Sequence, residues 1–139
     1  MLVDDYIIKL ARPTAADFIS LRANVGWQSG SIAMVEMSLN NSLFHITVYE
    51  QKKLVGMGRV VGDGAMYFYV QDVVVDPQSQ TLGIGALLMD KIEAFLSVVA
   101  KEGATIALLA AKDKEAFYRR YHYIERPNRS LGKGMCKFI

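Results

Sequence analysis

Apolar residues recur every third or fourth position near both ends of this chain and alternate with polar ones through its middle. Tyr6 to Ala11 (YIIKLA) reads as a short first strand. "RPTAADFISLRANVGW" then opens a helix, with Pro13 ahead of it, Thr14 as N-cap and Asp17 as its capping-box partner. Phe18, Leu21, Arg22 and Val25 follow at helical spacing, and Gly26 ends the run. Ser31 to Asn40 predicts a second short helix with Ile32, Val35 and Leu39 on one side. Met34 and Met37 beside them suit an adaptable apolar surface.

From Leu43 the period becomes that of strands. "LFHITVYE" and "KLVGMGRVV" meet at Gln51-Lys52, a hairpin signal, and Gly62-Asp63-Gly64 turns the chain into "AMYFYVQDVVV". Three consecutive antiparallel strands are expected over residues 43–75. A helix of roughly residues 83–101 follows, with Ile84, Leu88, Ile92, Phe95, Leu96 and Val99 on one stripe and Gly103 as its stop. "TIALLA" (105–110) reads as a buried strand, "DKEAFYRRYHY" (113–123) as a short helix, and 124–139 as a closing hairpin. Strand, helix, strand across 66–110 is a crossover that demands at least one parallel pair. The fold class is therefore α/β: a mixed, mostly antiparallel central sheet flanked by helices. No repeat or linker interrupts it, so residues 1–139 read as one domain.

Composition narrows the function. The 139 residues are 52% hydrophobic and 22% charged, the balance of a globular chain able to bury a core. A net charge of +2 with scattered basic residues is too small for a dedicated nucleic-acid partner. Cys136 is the only cysteine, so no intramolecular disulfide can form, which fits a reducing compartment. Asp4 and Asp5, with no long apolar stretch near them, do not resemble a signal peptide, and no apolar run approaches the length of a membrane span. A cytoplasmic protein without a membrane partner is expected.

The candidate chemistry begins at "DVVVDPQSQTLGIGALLMDKIEAFL" (72–96), where Gly83 and Gly85 stand at a helix entrance that glycine weakens. Helix N-termini leave backbone N–H groups unpaired and carry the positive dipole end, and glycine removes the Cβ atoms that would keep a phosphate away. The dull alternative is close packing of helix on strand. A dinucleotide fingerprint would need a third glycine where Leu88 stands, and a Walker loop would need Gly-Lys-Ser/Thr where Gly85 is followed by Ala86-Leu87. Neither nucleotide motif fits.

"VVVDPQSQTLGIGALLM" instead resembles the acetyl-CoA signature of the GNAT superfamily of acyl-CoA N-acyltransferases: Gln/Arg-x-x-Gly-x-Gly/Ala after a strand ending in Val-x-Pro. Here these are Gln80-Thr81-Leu82-Gly83-Ile84-Gly85 and Val75-Asp76-Pro77. "AFYRRYHY" resembles the same superfamily's Phe/Leu-Tyr-x-x-x-Gly-Phe, and the tail 124–135 resembles its small bacterial members. The element order suits the GNAT fold over nearly the whole chain, while the sharp motifs cover residues 71–123.

The resemblance implies acetyl-CoA as co-substrate and no metal. Pantetheine would pair with the backbone of Val73, Val74 and Val75, and the pyrophosphate would meet the N–H groups of Leu82, Gly83, Ile84, Gly85 and Ala86. Gln80, Thr81 and Leu82 replace the family's more basic and glycine-rich residues, leaving backbone and dipole to hold the phosphates with Lys112 as an assisting cation. It also implies Tyr118 as proton donor to the CoA sulfur, against the plainer reading of a packing aromatic beside Phe117 and Tyr121. His122 stands where the family usually has a glycine of positive φ. Trp27, Met34 and Met37 are candidates to line the acceptor pocket, and each also serves as ordinary packing.

Many family members carry a glutamate base where this chain has Gln71, which cannot take a proton. Asp72, an acid in a run of Tyr, Phe and Val, is the candidate carboxylate for water-mediated deprotonation, with His122 in reserve. Equally weighted is an Asp72 that caps a turn or pairs with an arginine. Neighbours on a strand face opposite sides, so Gln71 and Asp72 share a face only if a bulge intervenes. The leading function is N-acetylation of a primary amine of a small molecule or peptide, and a homodimer is compatible with it. Protein acetylation is a third possibility, and a CoA-binding regulatory module without turnover is the alternative from another class.

Overall fold

Gln51 and Lys52 both take positive φ, +48° and +69°. That is the backbone of a two-residue turn whose twist matches the flanking strands, and it joins β2 (Phe44–Glu50) to β3 (Lys53–Gly62). The second hairpin runs from β3 into β4 (Tyr67–Val75). Asp63 Oδ1 there accepts from the N–H groups of Ala65, Met66 and Tyr67 at 2.8, 2.9 and 3.0 Å. With β1 (Tyr6–Lys9) antiparallel to β2, four strands form a meander. β5 (Thr105–Ala107) completes the sheet in the order β1-β2-β3-β4-β5. It follows a helical crossover, and Thr105 N–H donates to Met66 O at 2.8 Å. β5 thus begins beside the beginning of β4, as a parallel neighbour does. The sheet is mixed and mostly antiparallel, as expected.

This computed structural model describes residues 5–139, so the N-terminal reading that rested on Asp4 lies outside the described residues. The chain divides into two compact units at Ile106/Ala107, and each is described by itself.

In the first unit α1 (Ala15–Asn24) and α2 (Ile32–Asn40) begin at the predicted caps. Thr14 Oγ1 accepts from Asp17 N–H at 3.1 Å, and Ser31 Oγ from Met34 N–H at 3.2 Å. α1 ends with Gly26 at φ +84° and with Trp27 N–H donating to Arg22 O, a Schellman closure. Phe18, Leu21, Val35 and Leu39 from these helices pack with Leu54, Met57 and Val74 of the sheet. Ile32 departs from expectation at 67% exposure. It is the first residue of α2, and Cα–Cβ bonds in a helix tilt toward its N-terminus, here its open end.

α3 (Ile84–Val99) covers the opposite side with Ile84, Leu88, Met89, Ile92 and Leu96, while Phe95 stacks on Phe44 at 4.6 Å. Each fully buried aliphatic contributes about 1.5–3 kcal/mol. The helix lies close to the sheet because Gly56 and Gly58 present no side chain. A Cβ at Gly56 would stand 2.7 Å from Ile84 Cγ2, and one at Gly58 2.9 Å from Ile92 Cδ1.

After α3 the structure departs from expectation in three places. The strand expected over 105–110 is only Thr105–Ala107 and is not buried. The helix expected over 113–123 is α4 (Glu115–Arg119), closed by i to i+3 bonds from Tyr121 N–H to Tyr118 O and from His122 N–H to Arg119 O. Residues 124–139 contain no strand. Side chains there take backbone groups that a ladder would use: Asn128 Oδ1 accepts from the Ser130 and Leu131 N–H groups, and Arg126 Nε donates to Gly132 O at 2.6 Å. No described helix is long and apolar enough to cross a membrane.

Candidate active site

β4 carries the first half of the candidate site, and it is irregular where the chemistry is expected. Arg59 pairs with Gln71 and Met57 with Val74, so Asp72 and Val73 together oppose Gly58. Two residues against one is a β-bulge, the condition under which Gln71 and Asp72 escape strict alternation. Asp72 takes φ +56°, an unusual conformation for a residue other than glycine. Past the bulge, Val74 is buried while Val73 and Val75 are half-buried. β5 has three residues against nine in β4 and starts at its beginning, so their ladder ends well before Val73.

The Asp72 carboxylate is 1% exposed. Its Oδ1 accepts from Arg22 Nη1 and its Oδ2 from Arg59 Nε, the latter at 2.9 Å. Both guanidinium groups also lie 5.5 Å from the Phe18 ring centre. Each carboxylate oxygen of Asp72 thus accepts from a different arginine. Of the two roles open to it in the sequence, the arginine pairing is the one the geometry shows. His45, on the same side of the sheet, is also a packing residue. Burial above all holds its pKa down, with Arg59 and Arg12 adding to this and the contact of Nε2 with Leu39 O (2.9 Å) opposing it.

The second half is the loop into α3. Asp76 Oδ1 accepts from Gln78 N–H at 3.0 Å and starts a 3-10 turn, Pro77–Ser79. Its Oδ2 takes Asn24 Nδ2 at 3.1 Å and Lys53 Nζ at 3.5 Å. Burial pushes this carboxyl upward, but the Gln78 N–H, Asn24 and Lys53 together outweigh it and hold the pKa below the usual value. Gln80 Nε2 then folds back onto Val75 O at 3.2 Å. Thr81 has φ +69°, and Gly83, the N-cap of α3, has φ +86° with no side-chain cap. Leu87 N–H is the first in the helix to find an intrahelical acceptor, Gly83 O at 3.1 Å. The N–H groups of Ile84, Gly85 and Ala86 come before it and have none within the helix. The entrance of a sixteen-residue helix thus presents backbone donors and the positive dipole end with no Cβ on the capping residue. Gly85 is the second residue of α3, and its amide is one of those donors.

In the second unit Tyr118 lies on α4, half-buried, edge-on to Phe117 at 5.0 Å and to Tyr123 at 6.4 Å. Burial raises its pKa above the ordinary phenol value, so it stays protonated at neutral pH. Lys112 is exposed ahead of the same helix. His122 takes φ +71° just past α4, the conformation for which glycine is usual. Trp27 is partly buried with Arg22 over its ring at 5.4 Å, whereas Met34 and Met37 are exposed. Among the described residues no three His, Cys, Asp or Glu side chains gather as a metal site.

Two features escaped the sequence reading. The role of Asp76 in shaping the loop was signalled by its place between a strand end and Pro77, a turn-initiating pair. Arg59 as a partner of Asp72 left no local signal, since it arrives from the neighbouring strand.

Comparison with known proteins adds the family. The model of the acetyltransferase (GNAT) domain matches residues 27–138. An uncharacterized N-acetyltransferase of Pyropia yezoensis is 31% identical over 109 residues, covering 76% of this chain and 62% of the relative, so the chain spans under two thirds of that protein. A probable acetyltransferase of meticillin-resistant Staphylococcus aureus is 28% identical with a TM-score of 0.87, covering 96% of this chain and 99% of that one. A GNAT-family acetyltransferase of Streptococcus pneumoniae is also 28% identical, with a TM-score of 0.77 and coverage of 96% and 98%.

Proposed function

The chain belongs to the acetyltransferase (GNAT) family, and on that premise we propose that it moves the acetyl group of acetyl-CoA to a primary amine of a small molecule or peptide by direct attack in a ternary complex. The observation that carries this reading is the α3 entrance, where Gly83 caps the helix at φ +86° and offers no side chain of its own. In this reading the loop from Gln80 to Ala86 receives the pyrophosphate, and the backbone of Val73 to Val75 receives pantetheine as an added strand. Lys112 assists the phosphates. Residues 1–139 act as one cytoplasmic catalytic domain that uses no metal.

The neutral amine attacks the thioester carbonyl carbon, and a backbone N–H near Val74 stabilises the charge that collects on the oxygen. The C–S bond breaks as the C–N bond is kept. Tyr118 gives its proton to the departing thiolate, for which a phenol held protonated by burial is suited. Water removes the excess proton from nitrogen and restores the phenol. The products are the acetamide and free CoA thiol.

The test is acetyl-CoA-dependent thiol release with a panel of amines. Release with at least one amine, together with recovery of its acetylated product, supports the proposal. Tight acetyl-CoA binding with no release from any amine would favour the regulatory module instead. One observation bears on that reading: both carboxylate oxygens of Asp72 are engaged by arginines.

A further inference from the structure

Asp72 is the residue of β4 that adopts the left-handed backbone region, at φ +56°, and it does so where β4 carries one more residue than β3. Aspartate tolerates this conformation better than a branched residue does, but it persists only where the surroundings over-determine it. The surroundings here are two guanidinium groups that do not stop at Asp72. Arg22 continues to the loop between α1 and α2, donating from Nε to Ser29 Oγ at 2.9 Å and from Nη2 to Gln28 O at 2.7 Å. Arg59 continues to the other end of α2, donating from Nη1 to Ser38 O at 3.2 Å and to Ser42 Oγ at 2.9 Å. One buried carboxylate therefore joins both ends of α2 to the point in β4 immediately before Val73.

We infer that Asp72 is a positioning residue: through Arg22 and Arg59 it locks the α1–α2 segment to the β4 bulge and so aims the backbone of Val73 to Val75. The role assigned to those three residues rests on the proposed function; the lock itself does not. The bulge sets which way the Val73 and Val74 amides point, because one residue more or fewer in the pairing reverses the facing of all that follow. Removing the carboxylate leaves two guanidinium groups competing in a site with no anion, and the strand loses its anchor at the residue least content with its conformation. The α1–α2 segment and the strand proposed to hold the thioester would then no longer be registered to each other. A misplacement of about 1 Å between reacting groups costs on the order of 10²-fold in rate.

Asp72→Asn keeps the shape and the tolerance of positive φ while deleting the charge. Arg22→Lys keeps a charge and leaves the Arg59 bond intact, but it cannot reach Asp72, Gln28 and Ser29 at once. In Asp72→Asn, kcat should fall on the order of 10²-fold with both limbs of the pH–rate profile unmoved and the Val73 to Val75 amides exchanging faster with solvent. Arg22→Lys should show the same pattern more weakly, and it carries the test if Asp72→Asn does not fold. A shifted acidic limb would make Asp72 the base and overturn the inference. So would an unchanged kcat in a folded Asp72→Asn protein. A parent that neither binds acetyl-CoA nor acetylates any amine removes the proposed function, and the amide exchange then decides the lock alone: equal exchange at Val73 to Val75 in parent and variant ends it.

Discussion

Gly83→Ala and Gly85→Ala add the same methyl group two residues apart and should move stability in opposite directions. Gly83 sits at φ +86° and ψ 6° as the N-cap of α3. An alanine forced into that region costs about 1–2 kcal/mol, and the reduced freedom of the unfolded chain returns about 0.4–1 kcal/mol. The net is a loss of about 1 kcal/mol. Gly85 is already helical as the second residue of α3. There alanine is the better helix former by up to about 1 kcal/mol, less in a first turn than mid-helix, so a gain of about 0.5 kcal/mol is expected. The two variants should differ by about 1.5 kcal/mol, or roughly 5 °C in Tm for a domain of this size. Urea titration and thermal melting without ligand read this difference. Calorimetry with acetyl-CoA reads the other half: both methyl groups stand at the donors of the α3 entrance, and both should weaken binding, about tenfold for a loss near 1.4 kcal/mol. Affinities equal to the parent's in both folded variants would refute the phosphate cradle. Stability shifts of the same sign would refute the backbone assignment at the helix entrance.

Tyr118→Phe should lower turnover on the order of 10²-fold with acetyl-CoA affinity unchanged. Because burial raises the Tyr118 pKa, any alkaline fall in kcat that belongs to its ionisation should come above the ordinary phenol value of 10.0, which a pH–rate profile can check. Asp76→Ala should cost about 1–3 kcal/mol by urea titration, since the Gln78 N–H, Asn24 and Lys53 lose their common acceptor. The folded pKa of Asp76 lies below its ordinary 3.8, so its contribution is complete above that value and disappears as the pH falls through the folded one. The gap between parent and Asp76→Ala should therefore be full at neutral pH and close in acid. Gly62→Ala should destabilise by about 1–3 kcal/mol or more, because its Cβ would stand 2.1 Å from Tyr67 O, a backbone atom that cannot swing aside. A urea midpoint equal to the parent's would contradict that geometry.

Elements whose ends are decided by neighbours in sequence were legible from the chain alone. Thr14 and Ser31 cap helices three residues ahead of the N–H groups they accept. Gln51-Lys52 turns a hairpin, and the Gly83 position falls between strand and helix because the hydrophobic period changes around it. These are short-range matters of backbone freedom and side-chain reach, and the resemblance to the family is legible for the same reason, as a run of adjacent residues making one loop. Ile32 needed more: periodicity put it on the buried side of α2, but only the extent of the sheet beneath decides whether that side is covered at its first residue. The tail after Ile124 has a pattern compatible with strands, yet a strand exists only where a partner offers its ladder, and here Asn128 and Arg126 take backbone groups first. Asp72 is the sharpest case. Its partners stand 50 and 13 residues away in the chain, and its bulge is a property of two strands paired out of step, which neither strand encodes by itself. A lone acid in an apolar run announces that something must neutralise it; only the folded chain decides that two arginines do so.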